Sequence, residues 1–375
     1  MRLREELGRI GLRIVFNPKF KFVFNYHNFD PNRKEPYFLV GNHASLNDPL
    51  YVEMNLKYYP YPVAANLLYT QPLMRFALTK IVTSIPKRKG QSDTQTIRSI
   101  IKAFKEDKRG IMIFPEGNSS YFGEETPTDF LTTAKLVKKI GEDLVYARIS
   151  GGYLAAPRWG KIRKKGHYQV DYELLLSKDQ IKEASVEDID KVLSKAIKFN
   201  DYEWNRKEKI VYRSNQKAVG LESYLYHCPV CQSTQTIDTL KNDIYCHHCG
   251  KIATINHYEF LEGLPFDNLI EWDHLQKNAL PKILEQPIVS TGELFEVDFK
   301  KNNRISLGLS KVGLIDKKLD IKTKQVEFLF PIEDIEGTVL TQKQYISFDV
   351  KDKTYLLKLK DCKLFLDAIT YLKGA

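Results

Sequence analysis

The chain of 375 residues is longer than one hydrophobic core usually encloses, so two or three domains are expected. Apolar residues at 43% and charged residues at 28% exclude disordered, collagenous and disulfide-dense classes. The net charge of +10 is uneven: residues 1–220 hold 38 Lys and Arg against 25 Asp and Glu, whereas 221–375 hold 19 against 22. A polyanion therefore belongs with the first part: nucleic acid, an anionic membrane surface, or a phosphorylated or CoA-like ligand.

The first ten residues, MRLREELGRI, have neither an apolar stretch nor a small-residue cleavage site, which argues against a cleaved leader. Nowhere does an uninterrupted apolar run reach the roughly 18 residues that span a bilayer. Leu3, Leu7, Ile10, Leu12 and Ile14 alternate with Arg2, Arg4, Arg9 and Arg13, the pattern of a basic amphipathic helix lying in a membrane interface. From about 36 to 175, short apolar runs alternate with helical patterns. Tyr37–Val40, Ile111–Phe114 and Leu144–Ala147 read as buried strands. Ile97, Ile100, Ile101 and Phe104 have helical spacing, and a second helix is expected from about Thr128 to Ile140. This alternation predicts an α/β layer with a mostly parallel sheet flanked by helices. Leu67-Leu68-Tyr69 and Pro72-Leu73-Met74-Arg75-Phe76 are a second candidate membrane contact, for which core packing is the better reading.

Strand 37–40 runs into Gly41-Asn42-His43-Ala44-Ser45-Leu46-Asn47-Asp48-Pro49. Asp before Pro predicts a helix starting at Pro49 with Asp48 as its cap. His43 then sits past a strand's carboxyl end, where open α/β sheets hold ligands, with Asp48 close enough to orient the imidazole as a base. By itself this spacing is better read as a turn histidine and a capping aspartate. Strand 111–114 delivers Glu116 and Gly117 in the same way, and Ile85-Pro86 leads into Lys87-Arg88-Lys89. One base, one acidic loop and one cationic cluster along a sheet edge suit an alcohol that carries a phosphate.

The string Asn42-His43-x-Ser45-x-x-Asp48-Pro49, followed later by Phe114-Pro115-Glu116-Gly117, resembles the PlsC-type glycerophospholipid acyltransferases, over roughly residues 1–200. The resemblance implies that His43 is the general base and Asp48 its orienting partner. Arg88 would bind the acceptor's phosphate, and Glu116 with Gly117 would contact the glycerol-phosphate end. Ala156-Pro157-Arg158 falls where the fourth, Pro-containing motif is expected, and Ser119 stands where an Arg commonly follows the third. The implied reaction moves an acyl group from acyl-CoA or acyl carrier protein to lysophosphatidic acid or a related glycerophospholipid, without a covalent intermediate. A peripheral enzyme on the cytoplasmic face of the membrane is expected. The sequence has no G-x-S-x-G, G-x-G-x-x-G or Walker-type loop, which agrees with direct transfer and with no nucleotide site.

Residues 176–220 are polar and Lys-rich and read as a helix followed by a linker. Cys228-x-x-Cys231 and Cys246-x-x-Cys249 then stand 14 residues apart. Two such knuckles bring four thiolates around one structural zinc in a reducing compartment, and leave no open coordination position. From about 290 the texture becomes alternating strands around Leu307–Leu309, Val326–Phe330, Tyr345–Phe348 and Tyr355–Leu359, with a closing helix from Cys362 to Leu372. This part resembles a PH or GRAM-like module. The expected organisation is an acyltransferase domain over 1–205, a linker over 206–222, a zinc ribbon over 223–260, and a helical connector with the β-rich module over 261–375. Two rivals are a zinc-ribbon nucleic-acid-binding protein and a non-catalytic lipid-binding scaffold. The first is opposed by the separation of basic charge from the knuckles, the second by an intact His43/Asp48 pair.

Overall fold

A computed structural model describes residues 10–11, 20–87 and 94–374. Most of the N-terminal amphipathic segment, and Arg88 with Lys89, lie outside the described residues. Packing divides the chain into two units, 1–157 with 163–212, and 158–162 with 213–375.

The first unit is built on seven strands: β1 (Phe20–His27), β2 (Phe38–Gly41), β3 (Tyr61–Ala65), β4 (Ile85–Lys87), β5 (Ile111–Ile113), β6 (Leu144–Ser150) and β7 (Gly166–Leu176). Their order is β1-β7-β6-β2-β5-β3-β4, and every neighbouring pair is parallel except β6 with β7. Central parallel strands are buried on both faces, so they are apolar throughout rather than alternating. Phe38, Leu39 and Val40 are accordingly fully buried. Helices Thr94–Lys105, Leu131–Ile140 and Val186–Ala196 supply Ile100, Phe104, Ala134, Val137, Ile189 and Leu193 to one core with Phe38 and Val40. Phe20, Phe22, Tyr51 and Tyr168 form an aromatic group with ring centroids 4.9–5.9 Å apart.

Two expectations are corrected here. Residues 176–220 hold three helices rather than one and a linker: Lys178–Glu183, Val186–Ala196 and Asp201–Glu208. Reciprocal caps, Ser177 with Gln180 and Ser185 with Asp188, set the first two starts, and these signals were present in the sequence. The apolar stretch 67–76 also divides: Leu67 and Tyr69 are buried, whereas Leu73 is 82% and Phe76 55% exposed. Helix Pro72–Phe76 spans only five residues and buries none of them. Among the described residues no helix is long and apolar enough to cross a membrane.

The second unit has two antiparallel sheets. The smaller comprises β8 (Ile237–Leu240), β9 (Asp243–Cys246), β10 (Gly250–Ile255) and β11 (Leu261–Glu262), in the order β11-β10-β9-β8. Helix Leu269–Ile283 follows. The larger sheet comprises β12 (Ile288–Asp298), β13 (Asn303–Ile315), β14 (Lys318–Lys322), β15 (Glu327–Pro331), β16 (Ile335–Thr341), β17 (Tyr345–Val350) and β18 (Lys353–Leu359). Its order is β15-β14-β13-β12-β18-β17-β16, and helix Cys362–Gly374 packs on β16 and β17.

Asn42, just past β2, is fully buried and acts as a side-chain extension of the ladder. Its Nδ2 donates to the Ile149 carbonyl at 2.9 Å, and its Oδ1 accepts from the Ile149 N–H at 2.7 Å. Asn42→Ala leaves both backbone groups of Ile149 buried without these partners. Destabilisation by roughly 2–5 kcal/mol is expected, read as a lower urea midpoint for the first unit.

Candidate active site

Three of the parallel strands end at one edge of the sheet, and the candidate residues follow those ends. Gly41 closes β2 where only a glycine fits: a Cβ would lie 2.9 Å from the Phe114 ring and 3.1 Å from the Ala147 carbonyl. Phe114 follows β5, and its ring stands against the His43 imidazole with centroids 4.7 Å apart. The close approach of β2 to β5 therefore sets the position of His43.

His43 Nδ1 lies 2.9 Å from Asp48 Oδ2. Asp48 is fully buried, while the His43 side chain remains 15% exposed. The helix begins at Asp48, one residue earlier than expected, and its N-cap, Asn47, makes no side-chain cap bond. Asp48 does not cap this helix, because both its oxygens are used elsewhere. Oδ2 also accepts from the Ser45 N–H at 2.8 Å, and Oδ1 accepts from Ser45 Oγ at 2.6 Å and Tyr168 Oη at 2.5 Å. A carboxylate facing four donors is fixed in orientation, and it places the His43 proton on Nδ1. Nε2 is left as the acceptor.

Glu116 is also buried, at 6% exposure. Its Oε1 accepts from the His43 N–H and its Oε2 from the Thr126 N–H, both at 2.7 Å. Burial pushes its carboxyl up to about 8, against the opposing pull of these two donors. The His43 carbonyl in turn accepts from the Ser120 N–H at 2.7 Å. The loop after β5 thus grips the backbone of His43 on both sides. Gly117 adopts a left-handed φ of 69°, with no atom within 4 Å of where a Cβ would stand. It is the conformation that glycine adopts without penalty, and it leaves open space beside Glu116.

His43, Asp48, Glu116 and Gly117 therefore come together. Lys87 is exposed at the end of β4, on the same sheet edge and immediately before Arg88. By strand spacing, three strand separations put β4 roughly 14 Å from β2. Arg158 does not join the group. It belongs to the second unit, where it is buried and donates to the carbonyls of Leu340 at 2.9 Å and Gln342 at 3.1 Å. Its guanidinium is thus committed to β16 and the following turn.

Tyr168 is the residue that sequence reasoning missed. It lies 120 residues from Asp48, on the one strand pairing antiparallel with β6, and no local spacing signals the contact. Burial among aromatic rings pushes its phenol well above the ordinary value, so it remains a donor.

In the second unit, the sulfurs of Cys228, Cys231, Cys246 and Cys249 all lie within 4.8 Å of one another. Four thiols converging without a disulfide match the soft donor set of a tetrahedral metal ion. Cys246 ends β9, and Gly250 opens β10, so the second knuckle is the turn of a hairpin.

Comparison with known proteins adds the following. The Acyltransferase family model matches residues 23–142, a range that contains His43, Asp48, Glu116 and Gly117. No curated protein matches the chain. Among solved structures, the chain is similar to the 1-acyl-sn-glycerophosphate (LPA) acyltransferase PlsC of Thermotoga maritima. The identity is 17%, covering 55% of this chain and 78% of that one, with a TM-score of 0.43. Residues 23–142 are an acyltransferase-family domain.

Tyr168→Phe removes one of four donors from a carboxylate that water does not reach. A loss of about 1–3 kcal/mol is expected in denaturant titrations of the whole chain, with the far-UV spectrum unchanged.

Proposed function

We propose that the first unit transfers a fatty acyl group from a thioester, acyl-CoA or acyl carrier protein, to the hydroxyl of a lysophosphatidic acid-like acceptor. The observation carrying this reading is the His43–Asp48 pair, seated on a buried four-donor carboxylate within the acyltransferase-family segment. Nε2 of His43 takes the proton from the acceptor hydroxyl as its oxygen attacks the thioester carbonyl. The tetrahedral intermediate collapses, the C–S bond breaks, and the proton passes from Nε2 to the departing thiolate. Asp48 holds the ring and balances the charge it gains during transfer. Glu116 acts through the backbone of His43, and the opening beside Gly117 gives the acceptor's glycerol end its approach. The cations from Lys87 to Lys89, Arg88 foremost, take the acceptor's phosphate.

The exposed Leu73, Met74 and Phe76, with Arg75 among them, support contact with a membrane surface on which such an acceptor resides. The four cysteines hold a structural zinc ion, for which no catalytic step is assigned. Within the second unit, 223–260 is the ribbon around this ion and 261–375 the β-rich module with its leading helix.

His43→Ala is expected to lower acyl transfer from acyl-CoA to lysophosphatidic acid by about 10²–10⁴-fold, with the fold intact by circular dichroism. Transfer at the wild-type rate in that variant would remove the mechanism. Metal analysis is expected to find one zinc per chain, and Cys228→Ser to abolish it; a zinc-free wild type refutes the ribbon.

A further inference from the structure

One buried carboxylate of the first unit takes no part in the proposed transfer. Asp201 opens the helix Asp201–Glu208 and is 1% exposed. Its Oδ1 accepts from the Gly151 N–H and its Oδ2 from the Tyr153 N–H, both at 2.9 Å. Its own N–H donates to the Gly123 carbonyl at 2.8 Å. Two neighbours strengthen that second attachment. Asn200 forms an antiparallel bridge with Glu124, and the Phe199 N–H donates to Glu125 Oε2 at 3.1 Å. Asp201 thus joins the turn after β6 to the loop after β5.

Both segments lead to the base. In the loop after β5, the Gly123 N–H donates to Ser120 Oγ at 2.8 Å, and the Ser120 N–H donates to the His43 carbonyl at 2.7 Å. In the turn after β6, Gly152 packs so closely that a Cβ on it would stand 3.0 Å from the Cβ of Ala44, the residue after the base. The same Cβ would stand 3.1 Å from the Tyr168 ring, whose hydroxyl donates to Asp48. Strands β6 and β5 flank β2 on opposite sides and do not pair with each other. The loops leaving them therefore hold His43 and Ala44 from two sides, and Asp201 spans the two. A carboxylate is a costly link. Burial, with the nearby charge of Asp48 adding to it, pushes the carboxyl up to about 7, against backbone N–H donors that include Leu154. An apolar side chain would avoid that cost but would leave the Gly151 and Tyr153 N–H groups without this acceptor.

We propose that Asp201 is a positioning residue for the imidazole, clamping the two loops that flank β2 and so fixing how His43 meets an acceptor hydroxyl. Its consequence for rate rests on the acyl-transfer reading, whereas the clamp acts on His43 whichever reaction the imidazole serves. Turnover is affected rather than binding, because a side chain this buried meets no substrate. A base displaced by about 1 Å loses up to about 100-fold in rate.

The test compares Asp201→Asn, which turns one accepting oxygen into a donor, with Asn205→Ala, both in the full-length chain and above pH 7, where Asp201 is ionised. Asn205 lies on the same helix, is fully buried, and bonds the N–H and carbonyl of Ile210 at 2.8 and 3.0 Å. It matches the loss of a buried polar group at the other end of the helix. The reporter is the His43 Nδ1 proton, read in the substrate-free protein as a downfield magnetic resonance that His43→Ala lacks. In Asp201→Asn this resonance is expected to move or broaden. There kcat for transfer from acyl-CoA to lysophosphatidic acid is expected to fall about 10–100-fold with both KM values unchanged. Asn205→Ala is expected to keep the wild-type resonance and kcat. An unmoved resonance or an unchanged kcat in Asp201→Asn, or equal effects in Asn205→Ala, would overturn the proposal. Should Asp201→Asn not fold, Ser120→Ala carries the same expectation, since it frees Gly123 and Glu124 from the residue bonded to His43. A wild type that transfers no acyl group, while Asp201→Asn moves the resonance, strikes the proposed reaction and leaves the clamp standing.

Discussion

A carboxylate sealed from water organises the first unit. An isolated charge moved into a protein interior costs several kcal/mol unless hydrogen bonds replace its hydration. Asp48 meets that condition with donors from its own loop, from the imidazole five residues before it, and from Tyr168 on β7. These partners tie together the loop after β2 and a strand of the same sheet. A buried polar network of this kind orders its members when complete and is costly when any one is removed. Of these members only His43 is partly exposed, at 15% of its side chain, while Ser45, Asp48 and Tyr168 are buried.

Glu116 shows how the same loop can be read in two ways. Its place after β5 suggests a side chain aimed at a ligand, yet both of its oxygens meet backbone N–H groups, one of them that of His43. The carboxyl is buried against its own tendency to be hydrated and thereby pushed up to about 8, and it braces the backbone at His43 and Thr126. It fixes the backbone from which the imidazole projects, and Gly117 beside it leaves open space.

What could be read from the sequence followed the range of the interactions involved. The buried strands expected over 37–40, 111–114 and 144–147, found as Phe38–Gly41, Ile111–Ile113 and Leu144–Ser150, were legible because central parallel strands are apolar throughout, and His43 and Asp48 because they stand five residues apart on one loop. The cysteine cluster was legible from spacing alone. Strands β1 and β7 were not identified, since their mixed aromatic and polar residues follow neither simple pattern, and with β7 went Tyr168. The start of the helix was displaced by one residue because a local preference, Asp as a cap, lost to a tertiary one, Asp as the partner of an imidazole and a distant phenol.

The charge of the second unit illustrates the same limit in another form. Residues 221–375 hold 19 cations and 22 anions, a balance that predicts no attraction to acidic lipid. Net charge is a sum, however, and a surface acts through its local field, which fades within about 8 Å at physiological ionic strength. Strand register sorts the residues by face. Some of these charges are spent inside the unit, as where Lys363 meets both Asp273 and Asp367. On the larger sheet Lys311, Lys322, Lys324, Lys358 and Lys360 line an open hollow around Leu309. Among the described residues four of these five lysines have no carboxylate within 4.0 Å, so a nearly neutral segment presents one hollow with more cations than anions. Composition therefore bounds what a domain of this kind attracts as a whole, and topology decides what each face attracts.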